Sequence, residues 1–195
     1  MSPSAAEQVT AILLEADGPT RDALDRLLPV IYDDLRAIAH GQLAGDPAPT
    51  LSTTALVHEA YLRLADDPRI TARGRAYFFA AAARAMRRIV VEYARRQRRR
   101  KRGGGARFLP LDEDLAPGID PRTDILDIER GLNELANLTE RPARVVECRF
   151  FAGLSVEDTA LALGVTTRTV KRDWAFARAW LFNFLRGLPG PEAVS

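Results

Sequence analysis

The stretch GLSVEDTALALGVTTRTVKRDWAFARAW, residues 153–180, decides the fold. It reads as two short helices joined by a tight turn. Ser155 stands where a helix N-cap belongs, and Asp158, three residues on, gives the spacing of a capping box. Val156, Thr159, Ala160 and Leu163 then recur along one side of a helix. Gly164 ends that helix, where a left-handed backbone costs glycine least. Thr166 or Thr167 caps the second helix, which turns Val170, Trp174, Ala177 and Leu181 inward. Its other side carries Arg168, Thr169, Lys171, Arg172 and Arg178. The small Ala160 lets the two helices cross closely. This is the helix-turn-helix pattern, and the basic, hydroxyl-rich start of the second helix points to DNA, because recognition helices present their first residues to base edges. An ordinary αα-hairpin is the bland alternative for the stretch taken alone.

A chain of 195 residues fits one large or two small domains, and 47% hydrophobic residues are enough for real cores. The net charge is only +2, so what matters is how charge is distributed. With one cysteine, Cys148, neither a disulfide nor a cysteine-based zinc site is expected within the chain. His40 and His58 are too few and too far apart for a metal cluster, and no cofactor is expected. The first residues contain Glu7, Glu15 and Asp17 and no long apolar core, so no secretory signal is expected. No run approaches the roughly 18 apolar residues of a membrane span. A cytoplasmic location, away from any membrane, is the default expectation.

Outward from the quoted stretch the chain reads as helices throughout, with no strand pattern. A short helix around residues 5–16 is followed by a Gly18-Pro19 break. A long amphipathic helix then opens at Thr20 or Asp22 and keeps a 3.6-residue period through Leu24, Leu27, Leu28, Ile31, Leu35, Ile38 and Ala39. Pro29 inside it is expected to kink or split it. Gly41, Gly45, Pro47 and Pro49 mark a loop. The next helix, residues 52–65, buries Leu56, Ala60 and Leu64, flanked by Val57 and Tyr61, and sets Glu59 four residues before Arg63.

A third helix, from residue 76 to 102, changes character along its length. It opens with Tyr77, Phe78 and Phe79 and a run of alanines, and ends strongly basic. Between residues 84 and 107, Arg84, Arg87, Arg88, Arg95, Arg96, Arg98, Arg99, Arg100, Lys101, Arg102 and Arg107 face a single acid, Glu92. Phe79, Ala83, Met86, Val90 and Tyr93 form the expected buried side, leaving Arg84, Arg87, Arg88 and Arg95 outside it. A charge run is usually a solvated face. This block is too one-sided to rest without a counter-charge, and a phosphate backbone supplies one, with a salt dependence of roughly 0.9 logarithmic units per neutralised phosphate. Aromatic side chains beside the basic residues suit stacking on unpaired bases, although Tyr77 and Phe78 fit a plain core equally well.

After Gly103-Gly104-Gly105 the charge reverses. Asp112, Glu113, Asp114, Asp120, Asp124, Asp127, Glu129 and Glu134 are balanced only by Arg122 and Arg130. Pro110, Pro117, Gly118 and Pro121 make residues 103–121 a linker. Two helices follow. One, residues 122–137, turns Ile125, Ile128, Leu132 and Leu135 inward; the other has a Thr139 cap, Pro142 in its first turn and Val145, Val146 and Phe150 buried. Gly187, Pro189 and Gly190 end the ordered chain. The expected fold is all-α: two small helical domains, 1–102 and 122–188, joined by an acidic flexible linker, 103–121, with a tail at 189–195.

The motifs ALVHEAYLRLA (55–65), MRRIVVEYARRQRRRKR (86–102) and LSVEDTALALGVTTRTVKRDWAFAR (154–178) resemble those of bacterial RNA polymerase sigma factors of the extracytoplasmic-function (ECF) group, which keep conserved regions 2 and 4 only. The resemblance spans about residues 20–187. It implies that Leu56, Glu59, Leu62 and Arg63 lie on or near the face that binds the clamp of the polymerase β′ subunit. It implies that the loop 66–75, with Arg69, Arg73 and Arg75, holds a flipped base of the −10 strand. Tyr77 and Phe78 would lie nearby, and Arg84, Arg87, Arg88 and Arg95 would contact the strand's phosphates. Thr166, Thr167, Arg168, Thr169, Lys171, Arg172 and Arg178 would serve the −35 major groove, on a domain that meets the flap of the β subunit. The acidic linker would thread toward the RNA channel.

The implied partners are core RNA polymerase, promoter DNA and either an anti-sigma protein or a serine/threonine kinase. The kinase enters through a departure from the family pattern. Acidic residues usually precede the clamp-binding helix, and here Leu51-Ser52-Thr53-Thr54-Ala55 is uncharged. Subgroup drift, with Ser52 or Thr53 as a simple cap, explains this; so does phosphorylation of Ser52, Thr53 or Thr54, which restores the charge at a helix N-terminus. A stand-alone helix-turn-helix regulator is the competing reading. An enzyme is not expected, because neither a glycine-rich phosphate loop nor an acid/base pair is present.

Overall fold

The computed structural model describes residues 8–9, 11–12, 21–44, 51–65, 74–100, 108–109 and 123–188. Arg69, Arg73, the Gly18-Pro19 break, most of the acidic linker and the 189–195 tail lie outside the described residues. Three long helices come first: α1 (Arg21–Leu43), α2 (Thr53–Ala65) and α3 (Gly74–Arg100). Next come α4 (Ile125–Leu138), α5 (Glu140–Val146) running into a π-helical turn (Glu147–Phe151), α6 (Val156–Leu163) and α7 (Thr167–Leu185). The fold is all-α, as the periodicities require.

Pro29 does not split α1. It is exposed, while Leu27, Ile31, Leu35 and Ala39 form one buried stripe through it. Gly41 belongs to the helix and not to the loop that follows. Across the stripe, the Tyr61 hydroxyl of α2 donates to Asp25 of α1. Leu56, Val57, Ala60, Tyr61 and Leu64 of α2 are all buried, as their spacing predicts.

The expectation of no strand needs one correction. Phe108–Leu109 (β1) and Thr123–Asp124 (β2) pair antiparallel, Phe108 opposite Asp124 and Leu109 opposite Thr123. Two residues are too few for an alternating pattern to show in a sequence. The Asp124 carboxylate then caps α4 by accepting from the Leu126 N–H at 2.9 Å. Ile125, Ile128, Leu132 and Leu135 of α4 are buried. Thr139 occupies the cap position of α5, but its side chain makes no capping hydrogen bond. α4 crosses α7 closely at Gly131, where a Cβ would stand 3.0 Å from both Leu181 Cδ2 and Phe184 Cδ1.

α3 is buried on more than the one side its period suggests. Besides Phe79, Ala83, Met86 and Val90, it buries Phe78, Ala80, Ala81, Ala82, Ile89, Val91, Ala94 and Arg87. The cause is a second set of neighbours. α1 and α2 cover one side, and α4, the π-helical turn and α6 lie against another. A single cluster of buried apolar side chains runs from α1 through α3 into α4 and α7.

Candidate nucleic-acid interface

The helix-turn-helix is assembled from local rules. The Ser155 hydroxyl accepts from the Asp158 N–H and donates to the Asp158 carboxylate, both at 2.9 Å, which fastens the first turn of α6. Gly164 closes α6 with φ 67° and ψ 37°, a left-handed residue that a side chain would strain. Thr166, not Thr167, caps α7: its hydroxyl accepts from the Thr169 N–H at 3.2 Å and lies 3.0 Å from the Thr169 hydroxyl. Val145 of α5, Ala160 of α6 and Val170 of α7 meet in a small core of their own. The angle between α6 and α7 is thereby held by packing as well as by the turn.

That scaffold leaves Thr167, Arg168, Lys171 and Arg172 exposed on the first turns of α7, while Thr169 and Arg178 are half-buried. Arg168 stands three and four residues before Lys171 and Arg172, so the three cations share one face. No acidic residue lies in the first turn, and the positive end of the helix dipole adds to their charge. Behind them Asp173 is buried on α7, where the Arg141 guanidinium at the start of α5 donates to it. This pair ties the recognition helix to α5, and the sequence carried a signal for it. Asp173 falls on the inward side of α7, three residues after Val170, and a buried acid demands a cation.

The basic helix divides its cations differently from expectation. Arg88 and Arg95 are exposed and Arg84 is half-buried, but Arg87 is only 6% exposed. Arg87 Nη1 donates to Glu129 of α4, and Nη2 donates to Glu147 of the π-helical turn at 2.6 Å. Arg84 Nε stands 3.5 Å from the other oxygen of Glu147. Burial pulls the Arg84 guanidinium below its ordinary range, against the opposing pull of Glu147. Arg75 pairs with Asp34 at 3.7 Å and lies over the Phe79 ring. Phe78 belongs to the core and meets Phe79 edge to face; Tyr77 is half-buried. The expectation that Arg87 lies outside the buried side of α3 is therefore corrected.

On α2, Leu56 is fully buried and supports the outer face from below, whereas Leu62 is 43% exposed. Arg63 joins Glu59 at 2.9 Å and Glu92 of α3 at 2.8 Å. The hydrogen bond from Arg63 holds the Glu92 carboxyl below its usual range. At the start of the helix the Ser52 hydroxyl accepts from the Ala55 N–H at 3.1 Å, so Ser52 is the cap; Thr53 is half-buried and Thr54 exposed. Cys148 is buried, and burial pushes its thiol up to about 12, which leaves it an inert core residue at neutral pH. Among the described residues, no group of His, Cys, Asp and Glu side chains is placed to hold a metal, and no helix is long and apolar enough to cross a membrane.

A mainly helical chain with a capped, cation-faced helix-turn-helix and a separate arginine-rich helix has the features of a DNA-binding transcription protein. The sequence matches the family described as ECF sigma factor over residues 6–187, and the chain belongs to that family. No curated protein and no solved structure matches it. As an ECF sigma factor it binds core RNA polymerase and promoter DNA and acts in transcription initiation, in a family of non-enzymatic transcription factors.

Proposed function

We propose that the chain grips a promoter at two places. The N-terminal turns of α7 read the −35 element, with Arg168, Lys171 and Arg172 reaching bases and phosphates and Thr167 beside them. α3 and the residues before it hold the opened −10 strand through Arg69, Arg73, Arg75, Tyr77, Arg84, Arg87, Arg88 and Arg95. The outer face of α2, around Leu62, Glu59 and Arg63, docks on the clamp of the β′ subunit, and the helix-turn-helix unit meets the β flap. The observation that carries this reading is the row of exposed cations on a helix whose start is fixed by Thr166. Run-off transcription with core polymerase tests it. The purified chain should start transcripts at defined sites only when core is present. Tight sequence-specific duplex binding by the chain alone, with no transcripts from the mixture, would favour the stand-alone regulator instead.

The same reading includes a switch at the start of α2. The first turn of α2 holds no acidic residue, and Thr54 is open to a serine/threonine kinase. A phosphate there adds between one and two negative charges at a helix N-terminus and supplies what a basic clamp surface lacks in this chain. Thr54→Asp is expected to raise core binding and transcription several-fold. If a chain with alanine at Ser52, Thr53 and Thr54 keeps full activity in cells, there is no such switch.

A further inference from the structure

The side of α3 that carries Arg84 and Arg87 is already occupied. Glu129 and Glu147 hold the Arg87 guanidinium from two elements, and the Phe151 ring lies 5.4 Å from it. Glu147 also faces Arg84. Gln42 of α1 spans the same contact, donating to the Ala83 carbonyl of α3 at 3.1 Å and to the Phe151 carbonyl of the π-helical turn at 3.4 Å. The π-helical turn makes this possible: it buries Glu147 and Phe151 together on the side toward α3.

We propose that this contact is an autoinhibitory clasp, in which Glu129 and Glu147 occupy Arg84 and Arg87 in place of the phosphates of the −10 strand. The clasp has to open between α3 and α4 before that strand is held. The inference rests on the reading of Arg84 and Arg87 as strand contacts, and it adds that the free chain withholds them. A carboxylate and a phosphate offer an arginine fork the same charge-assisted hydrogen bonds, so one can replace the other. The closed contact is also imperfect. Gln42 Oε1, Arg84 Nε, Arg87 Nε and Glu147 Oε2 are buried there without a hydrogen-bond partner among the described residues. Opening returns these groups to water and recovers part of their desolvation. It also uncovers apolar side chains of α3 and α4, which ties opening to a partner that covers them, and core polymerase is the partner this family binds.

The test uses the full chain carrying Glu129→Gln and Glu147→Gln. Both changes keep shape and remove charge, leaving Arg87 without a counter-charge unless the contact opens. Small-angle scattering should show a larger radius of gyration at unchanged circular dichroism. A mixed-sequence single-stranded DNA oligonucleotide should bind about tenfold tighter, the scale of one regained charge-assisted contact. Its salt dependence should steepen by roughly 0.7 logarithmic units per phosphate newly engaged. Adding Arg84→Ala and Arg87→Ala should abolish that gain. If the double variant loses helix content, Glu147→Gln alone, which keeps Glu129 on Arg87, is read the same way. A variant as compact as the parent with unchanged affinity overturns the clasp. The strand reading is then judged separately, by whether holoenzyme with Arg84→Ala and Arg87→Ala loses transcription. Expansion without tighter strand binding overturns both.

Discussion

Replacing Arg87 with alanine is expected to cost the closed chain about 3–5 kcal/mol, because it leaves the buried Glu129 carboxylate without its cation and takes from Glu147 the closest of its cations. Glu129 and Glu147 are each only 9% exposed and both lie against Arg87. Without it Glu129 loses its ion pair, Glu147 keeps only the longer contacts to Arg84 at 3.5 Å and Arg144 at 3.8 Å, and the Phe151 ring loses the guanidinium beside it. In a chain of this size such a loss lowers the thermal midpoint by on the order of 10 °C, measured by calorimetry or circular dichroism. Besides taking up a proton, the carboxylates can escape if α4 and the π-helical turn leave α3. A smaller loss of stability should therefore come with a larger hydrodynamic radius. Arg88→Ala is the control, since Arg88 is exposed on the same helix and its loss should stay within about 0.5 kcal/mol. A loss for Arg87→Ala no greater than that of Arg88→Ala, without expansion, would mean that the buried cluster holds nothing together.

The contrast between Arg87 and Arg88 marks what the sequence could and could not tell. The helix-turn-helix was legible almost residue by residue, because its determinants are local: a cap at Ser155, a left-handed Gly164, a cap at Thr166 and a 3.6-residue period. The buried positions of α2 and α4 were legible for the same reason. Periodicity says which face of a helix is apolar, but not how many neighbours the helix will have. α3 has neighbours on two sides, and so Arg87, placed outside by its period, ends in the contact with Glu129 and Glu147. One clue was present. Glu129 sits four residues after Ile125 and three before Leu132, on the inward stripe of α4, where an acid is stable only with a cation brought by another helix. The π-helical turn that delivers Glu147 and the two-residue strand pair leave no comparable pattern.

The mirror case is α7, where charge is exposed instead of sequestered. On the proposed reading, alanine at Arg168 and Lys171 together should reduce promoter-specific transcription by about a hundredfold. A bidentate contact to a base edge is worth about 1–3 kcal/mol, and a lost phosphate contact adds to it. Folding should be unaffected within about 0.5 kcal/mol, because both side chains are exposed and the core beneath them is made by Val145, Ala160 and Val170. Core polymerase binding should also be kept, since the proposed clamp face lies on α2 and no flap contact is proposed for the first turns of α7. The two contributions separate on a salt titration of holoenzyme binding. Loss of a phosphate contact flattens the slope by roughly 0.9 and weakens all sequences alike, whereas loss of a base contact keeps the slope and relaxes discrimination at one position. Which residue does which is then read from the single variants. If the double variant no longer binds core polymerase, the first turns of α7 are a docking surface and not the −35 reader, and the division of labour between α2 and α7 is wrong.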